Sequence, residues 1–176
     1  MREDVERFQR EREQDGGAAR AAGRRILIVD DEAGITRYLT ALLDGFNGAR
    51  TAFANDGFTA GHLVHVFRPD IVLLDLMMPG LDGFQVCRQI KSDAETCHIR
   101  VIAMTGYPTP EHYQRIIAAG AECCLDKPLD EAGLLDLIRA DNCETARKRL
   151  PELFALRDEM LDKLRALQDL IVVTKT

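Results

Sequence analysis

The sequence predicts an α/β domain over residues 24–140, a doubly wound parallel sheet of five strands alternating with five helices. Three observations predict it. The runs Ile26–Val29, Ile71–Leu74 and Val101–Met104 are apolar at every position, as strands buried on both faces must be. Between the runs lie stretches with apolar residues three and four apart, the period of a helix with one buried face. Finally, polar residues with chemical capability stand directly after the runs, at the strand ends where such sheets bind ligands.

Taken in order, Ile26–Val29 is the first strand. Ile35, Tyr38, Leu39, Leu42 and Leu43 then share one side of a helix that ends near Gly45. Residues 50–54 make a weaker strand, and residues 58–67 a helix stopped by Pro69. The run from Ile71 ends on Asp75. Gly83 to Ile90 gives the third helix through Phe84, Val86, Cys87 and Ile90. Val101–Met104 ends on Thr105. Thr109 and Pro110 mark a helix start, a capping hydroxyl followed by proline at the first helical position. That fourth helix runs to Gly120. Cys123 to Leu125 form the last strand, and Leu134, Leu135, Leu137 and Ile138 the core face of the fifth helix.

Two additions flank this domain. Residues 1–23 mix charges of both signs with few apolar groups, and Gly16, Gly17 and Gly23 read as a flexible link. Residues 141–176 carry Leu153, Leu156, Met160, Leu164, Leu167 and Ile171 at spacings of three and four, after Pro151. This is an amphipathic helix for docking or for pairing with a second copy; Lys163 interrupts a strict heptad seam. Too few residues follow Ala140 for a DNA-binding or catalytic domain, so the chain is expected to stand alone or to be the corresponding portion of a longer protein.

The whole chain has 176 residues and a formal charge of −6. Most of its acidity lies in the central segment, which argues against direct nucleic-acid binding there. No apolar run approaches the roughly 20 residues that cross a bilayer, and the charged N-terminus is unlike an export signal. Five cysteines without metal-ligand spacing read as reduced thiols of a cytoplasmic protein, and Cys123 and Cys124, adjacent on a strand, must face opposite ways.

The strand ends bring together Asp30, Asp31, Asp75, Thr105, Lys127 and Pro128. Adjacent carboxylates at Asp30 and Asp31 repel each other, and a hard cation with oxygen ligands relieves that conflict; Mg²⁺ suits a few carboxylates with retained waters. Asp75 can supply one carboxylate oxygen to the metal and the other as a nucleophile toward phosphorus, giving an acyl phosphate. Thr105 offers a hydroxyl to one phosphoryl oxygen and Lys127 a compact cation to another. Pro128 is a candidate for a cis bond after Lys127.

On these residues the segment from Ile26 to about Ile138 resembles the receiver domain of bacterial two-component response regulators. The resemblance rests on Val29-Asp30-Asp31-Glu32, on the run from Asp75 through Met77, Pro79 and Asp82 to Gly83, on Met104-Thr105-Gly106 and on Lys127-Pro128-Leu129. It implies a flavodoxin-like sheet of strand order 2-1-3-4-5. It also implies Asp75 as phosphoacceptor, with Mg²⁺ bound by Asp31, Asp75 and the carbonyl of Met77 and by Asp30 through water. Thr105 would be the switch hydroxyl and Lys127 the phosphate-pairing cation. The phosphodonor would be a sensor histidine kinase or a histidine phosphotransfer protein. Such a protein catalyses only its own phosphorylation and dephosphorylation.

One position departs from the pattern. Where the family commonly has an aromatic residue, three before the lysine, this chain has Cys124, too small to fill the same role. Output through the fourth helix or the C-terminal helix is the alternative. Met77 and Tyr107, each two residues beyond a site residue, are bulky and carry no group to orient a water, so slow hydrolysis of the acyl phosphate is expected. Met77 also counts against a phosphatase with a second aspartate two residues after its nucleophile. A scaffold without phosphorylation is a further reading, opposed by the filled acceptor and metal positions.

Overall fold

In the computed structural model, residues 23–79 and 82–140 are described, together with Ala155, Asp158, Glu159, Asp162 and Lys163. Five parallel strands form one sheet: β1 (Arg25–Val29), β2 (Arg50–Ala54), β3 (Ile71–Asp75), β4 (Arg100–Thr105) and β5 (Cys123–Asp126). Their order across the sheet is β2-β1-β3-β4-β5, as the resemblance implied. The helices are α1 (Ala33–Leu43), α2 (Gly57–Phe67), α3 (Gly83–Ser92), α4 (Pro110–Ala118) and α5 (Glu131–Arg139).

The sheet separates two apolar layers. Leu39 and Leu43 of α1 and Leu134, Leu137 and Ile138 of α5 pack with Ile26, Ile28, Leu73 and Met104. On the other face, α2, α3 and α4 cover Leu27, Val29, Leu74, Val101 and Ala103. Alternate residues of each strand thus feed opposite layers, which is why the strands are continuously apolar. Cys123 and Cys124 obey the same rule, the first in one layer and the second in the other.

Polar caps set the helix starts. Asp56, Asp82, Thr109 and Asp130 each accept a backbone N–H of the first turn of the helix that follows them. Three details differ from the sequence expectation. A short 3₁₀ turn (Phe46–Gly48) links α1 to β2, with Gly45 and Gly48 at positive φ. Arg25 and Arg100 begin β1 and β4 one residue ahead of the apolar runs, their backbones pairing where their side chains reach solvent or partners. Tyr38, assigned to the buried side of α1, stands at its rim, 44% exposed, with its hydroxyl on the Glu131 carboxylate.

At the amino-terminal edge of the sheet, Arg100 grips Glu122 through two bonds of 2.7 Å and donates to the carbonyls of Leu137 (3.0 Å) and Ala140 (2.8 Å). Arg24 also donates to the carbonyl of Ala140. Two guanidinium groups therefore satisfy the last carbonyls of α5. The expected extension before Gly23 and the expected C-terminal helix lie outside the described residues, apart from the five isolated positions. Those five are helical, and the Lys163 ammonium lies 2.7 Å from the Glu159 carboxylate. No described helix is long and apolar enough to cross a membrane.

Candidate functional site

Strand register builds the site. Val29 of β1 pairs with Leu74 of β3, so Asp30 emerges level with Asp75. Asp75 pairs with Met104, and Thr105 follows it; Thr105 pairs with Asp126, and Lys127 follows that. From β3 onward each step toward β5 shifts the reactive group by one residue, so four groups distant in sequence reach one carboxyl-terminal edge.

Loop hydrogen bonds hold them there. The amide of Asp30 donates to the carbonyl of Ala54 (3.1 Å), that of Leu76 to Met104 (3.1 Å) and that of Lys127 to Thr105 (2.8 Å). The Lys127–Pro128 peptide is cis. A requirement not evident from motif spacing is imposed by Gly83. A Cβ there would lie 2.2 Å from the Asp75 carbonyl oxygen and 2.8 Å from the Leu76 Cα, so only glycine lets α3 start against the chain leaving β3.

The Lys127 ammonium sits between two buried carboxylates, 2.7 Å from Asp30 Oδ2 and 3.3 Å from Asp75 Oδ2, with Glu32 at 3.9 Å. The other oxygen of Asp30 accepts the Glu32 amide at 2.9 Å, and Asp75 Oδ1 accepts the Met77 amide at 3.4 Å. Asp31 is exposed, yet ligand oxygens of Asp30, Asp31 and Asp75 all lie within 4.8 Å of one another. Thr105 is wholly buried, and its hydroxyl oxygen accepts the Tyr107 amide at 3.1 Å.

Electrostatics follow from burial. Desolvation raises the Asp75 carboxyl above its usual range; Lys127 pulls it back and the Asp30 charge pushes it up again. Burial alone would lower the Lys127 ammonium, but bonding and attraction from Asp30 and Asp75 outweigh it and leave the pKa raised. The pocket thus holds more negative charge than its one ammonium neutralises. Three carboxylates offering only hard oxygen donors fit a small divalent cation.

The remaining sequence candidates are distributed around this centre. Met77 and Tyr107 are exposed beside it. Cys124 is buried one layer inward, its thiol pushed up to about 12 by burial, then by the charges of Asp126 and Asp75. Glu32 and Gly83 entered the sequence reading only as motif positions, without the contacts they make here, and the bond from the Tyr113 hydroxyl to Asp126 was not foreseen. The position of Asp126, immediately before Lys127, was the available signal for the last.

Comparison with known proteins agrees with this geometry. A family model described as the response regulator receiver domain matches residues 26–139. The protein PilH of Pseudomonas aeruginosa is 41% identical over 116 residues, 66% of this chain and 95% of PilH. Other curated relatives are longer, and the chain spans only 25% to 50% of their length. Among solved structures, the signal receiver domain of a DNA-binding response regulator from Colwellia psychrerythraea has 44% identity and a TM-score of 0.63, covering 66% of this chain and 95% of that one. The receiver domain of the sensor histidine kinase PA1611 from Pseudomonas aeruginosa has 28% identity and a TM-score of 0.61, covering 67% and 96%. That structure is described with a magnesium ion coordinated in its active-site cleft.

Proposed function

Because the chain belongs to the response regulator receiver domain family, with a role in phosphorylation-dependent signalling, we propose that it is a switch modified at Asp75. The observation that carries this reading is the Lys127 ammonium held between Asp30 and Asp75, beside the third carboxylate of Asp31. An Asp75 carboxylate oxygen attacks the phosphorus of a phosphohistidine on a sensor kinase or phosphotransfer protein. The P–N bond breaks, its electron pair returns to the imidazole, and an acyl phosphate forms on Asp75. Lys127 pairs with one phosphoryl oxygen, and the Thr105 hydroxyl donates to another.

Asp31, Asp75 and the Met77 carbonyl are the residues we assign to hold Mg²⁺, with Asp30 acting through water. When bound, the ion screens the repulsion between the incoming phosphoryl oxygens and the carboxylates. The convergence of Asp30, Asp31 and Asp75 oxygens within 4.8 Å of one another supports this assignment. We place the protein in the cytoplasm and its output in a protein–protein contact, with homodimerisation through residues 141–176 as the form tested below.

Incubation with acetyl phosphate and Mg²⁺, followed by intact mass spectrometry, tests the reading. One phosphoryl increment should appear in the native protein, vanish with EDTA and be absent from Asp75→Asn. An unmodified native protein, or an Asp75→Asn variant modified equally well, would overturn it.

A further inference from the structure

We propose that Tyr113 of α4, through its hydrogen bond to Asp126, is the aromatic group that reports the state of the Asp75 pocket, in place of any ring on β5. The proposal rests on the reading of Asp75 as phosphoacceptor and adds a positioning residue to it.

The argument begins with how weakly α4 is bound to the sheet. Only Ile116 and Ile117 of this helix are buried. Its other ties are the half-buried Tyr113 ring, a ring contact of His112 with Phe84 and a few polar bonds. The Tyr113 hydroxyl donates to Asp126 Oδ1. Arg115 lies 2.8 Å from Asp82 and stacks 4.0 Å over the Phe84 ring, but both charged groups are well exposed and therefore screened. His112 bonds the Tyr107 carbonyl at 2.9 Å, coupling the helix to its own lead-in loop. Of these, the Tyr113–Asp126 bond is the one that connects α4 to a strand end of the pocket.

Its position on that strand matters. Residues 124 and 126 share a face of β5, the face covered by α4. Cys124 places no ring there, and the half-buried ring of Tyr113 packs against the apolar layer to which Cys124 belongs. Cys124 in turn lies close enough to Asp75 and Asp126 to feel both charges. Tyr113 and Cys124 thus belong to the same layer, on the side of the sheet that α4 covers, and Asp126, which Tyr113 holds, directly precedes Lys127 of the pocket.

Among the bonds that hold the segment 105–113, two are side-chain bonds anchored at or beside a proposed phosphate-binding group. Thr105 accepts the Tyr107 amide, and Asp126 precedes Lys127. A phosphoryl group on Asp75 turns the Thr105 hydroxyl toward an oxygen and draws the Lys127 ammonium from Asp30. The first movement releases the Tyr107 amide; the second displaces the end of β5 that carries Asp126. Loss of both frees the start of α4. By linkage, a bond that favours the unmodified arrangement must oppose modification by the same factor.

Tyrosine labelled with ¹³C at Cζ reports hydroxyl hydrogen bonding, and the chain has three tyrosines to assign by single substitutions to phenylalanine. The full chain is titrated with beryllofluoride and Mg²⁺, with binding followed separately by ¹⁹F NMR. At saturation the Tyr113 signal should move while that of Tyr38, bonded to Glu131 on the opposite layer, stays fixed. Tyr113→Phe should bind beryllofluoride about fivefold more tightly, and Asp126→Asn, with a weaker neutral acceptor, by an intermediate factor. Saturation with a stationary Tyr113 signal, or native affinity in Tyr113→Phe, overturns this proposal alone. No ¹⁹F signal for bound beryllofluoride overturns the acceptor reading and this proposal with it. If Tyr113→Phe does not fold, the native Tyr113 signal decides.

Discussion

At the scale of single residues, Asp75 is costly to the fold. Burial, only partly offset by Lys127, raises its carboxyl pKa above that of an unfolded chain, so folding works against its ionised form. The stability it contributes is present at acid pH and is lost as pH rises through the folded pKa. At neutral pH, Asp75→Asn should therefore raise the melting temperature in the absence of metal, by about 3–5 °C for each kcal/mol regained. Mg²⁺ should raise that of the native protein and have little effect on the variant, as scanning calorimetry would show. The thiols give a second test. Cys124 is pushed up to about 12 and Cys87 to about 11, mainly by burial, whereas Cys97 is exposed. Both buried thiols stay protonated at pH 8, so iodoacetamide followed by peptide mapping should label Cys97 and spare Cys87 and Cys124 until the protein unfolds. The proposed acyl phosphate gives a third test: Met77→Asn with Tyr107→Glu should accelerate its hydrolysis about tenfold, read from the decay of the phosphorylated mass. An unchanged decay rate would remove these two side chains from the account.

At the scale of elements, the carboxyl edge depends on where helices begin. Gly83→Ala puts a methyl group into the backbone after Asp75, and backbone gives way poorly. We expect a loss of at least about 2 kcal/mol in urea unfolding, along with weaker Mg²⁺ binding. Arg100 and Glu122 at the other edge are a buried, doubly bonded pair. Glu122→Ala leaves a guanidinium without its charge partner and should cost about 3–5 kcal/mol while leaving acetyl phosphate reactivity intact. Elements such as these separate what the sequence made legible from what it did not. The apolar runs at Ile26, Ile71 and Val101 announced β1, β3 and β4, and the groups following them announced the site. The edge strand β2 was weaker because Arg50, Thr51 and a half-exposed Phe53 dilute its pattern. The contacts of Gly83 and Tyr113 were hidden for another reason: a close backbone approach and a bond between helix and strand depend on packing angles, which no local period encodes.

At the scale of the molecule, the sheet sets two ends apart. The carboxyl edge carries the acidic pocket, and the amino edge carries the paired guanidinium groups on the end of α5. Light scattering in the presence and absence of beryllofluoride with Mg²⁺ tests whether the state of the first is coupled to self-association. A doubling of mass on activation is the expected result; an unchanged mass directs the search to a different protein as the recipient.

Arg24 and Ala140 touch, so the first and last residues of the receiver segment meet at one corner. A short glycine linker joining them, with new termini cut in an exposed loop, should yield a circular permutant that folds and still accepts phosphate. Fluorescent fusions at that corner would sit a full strand length from the reactive edge, leaving a docking kinase unobstructed.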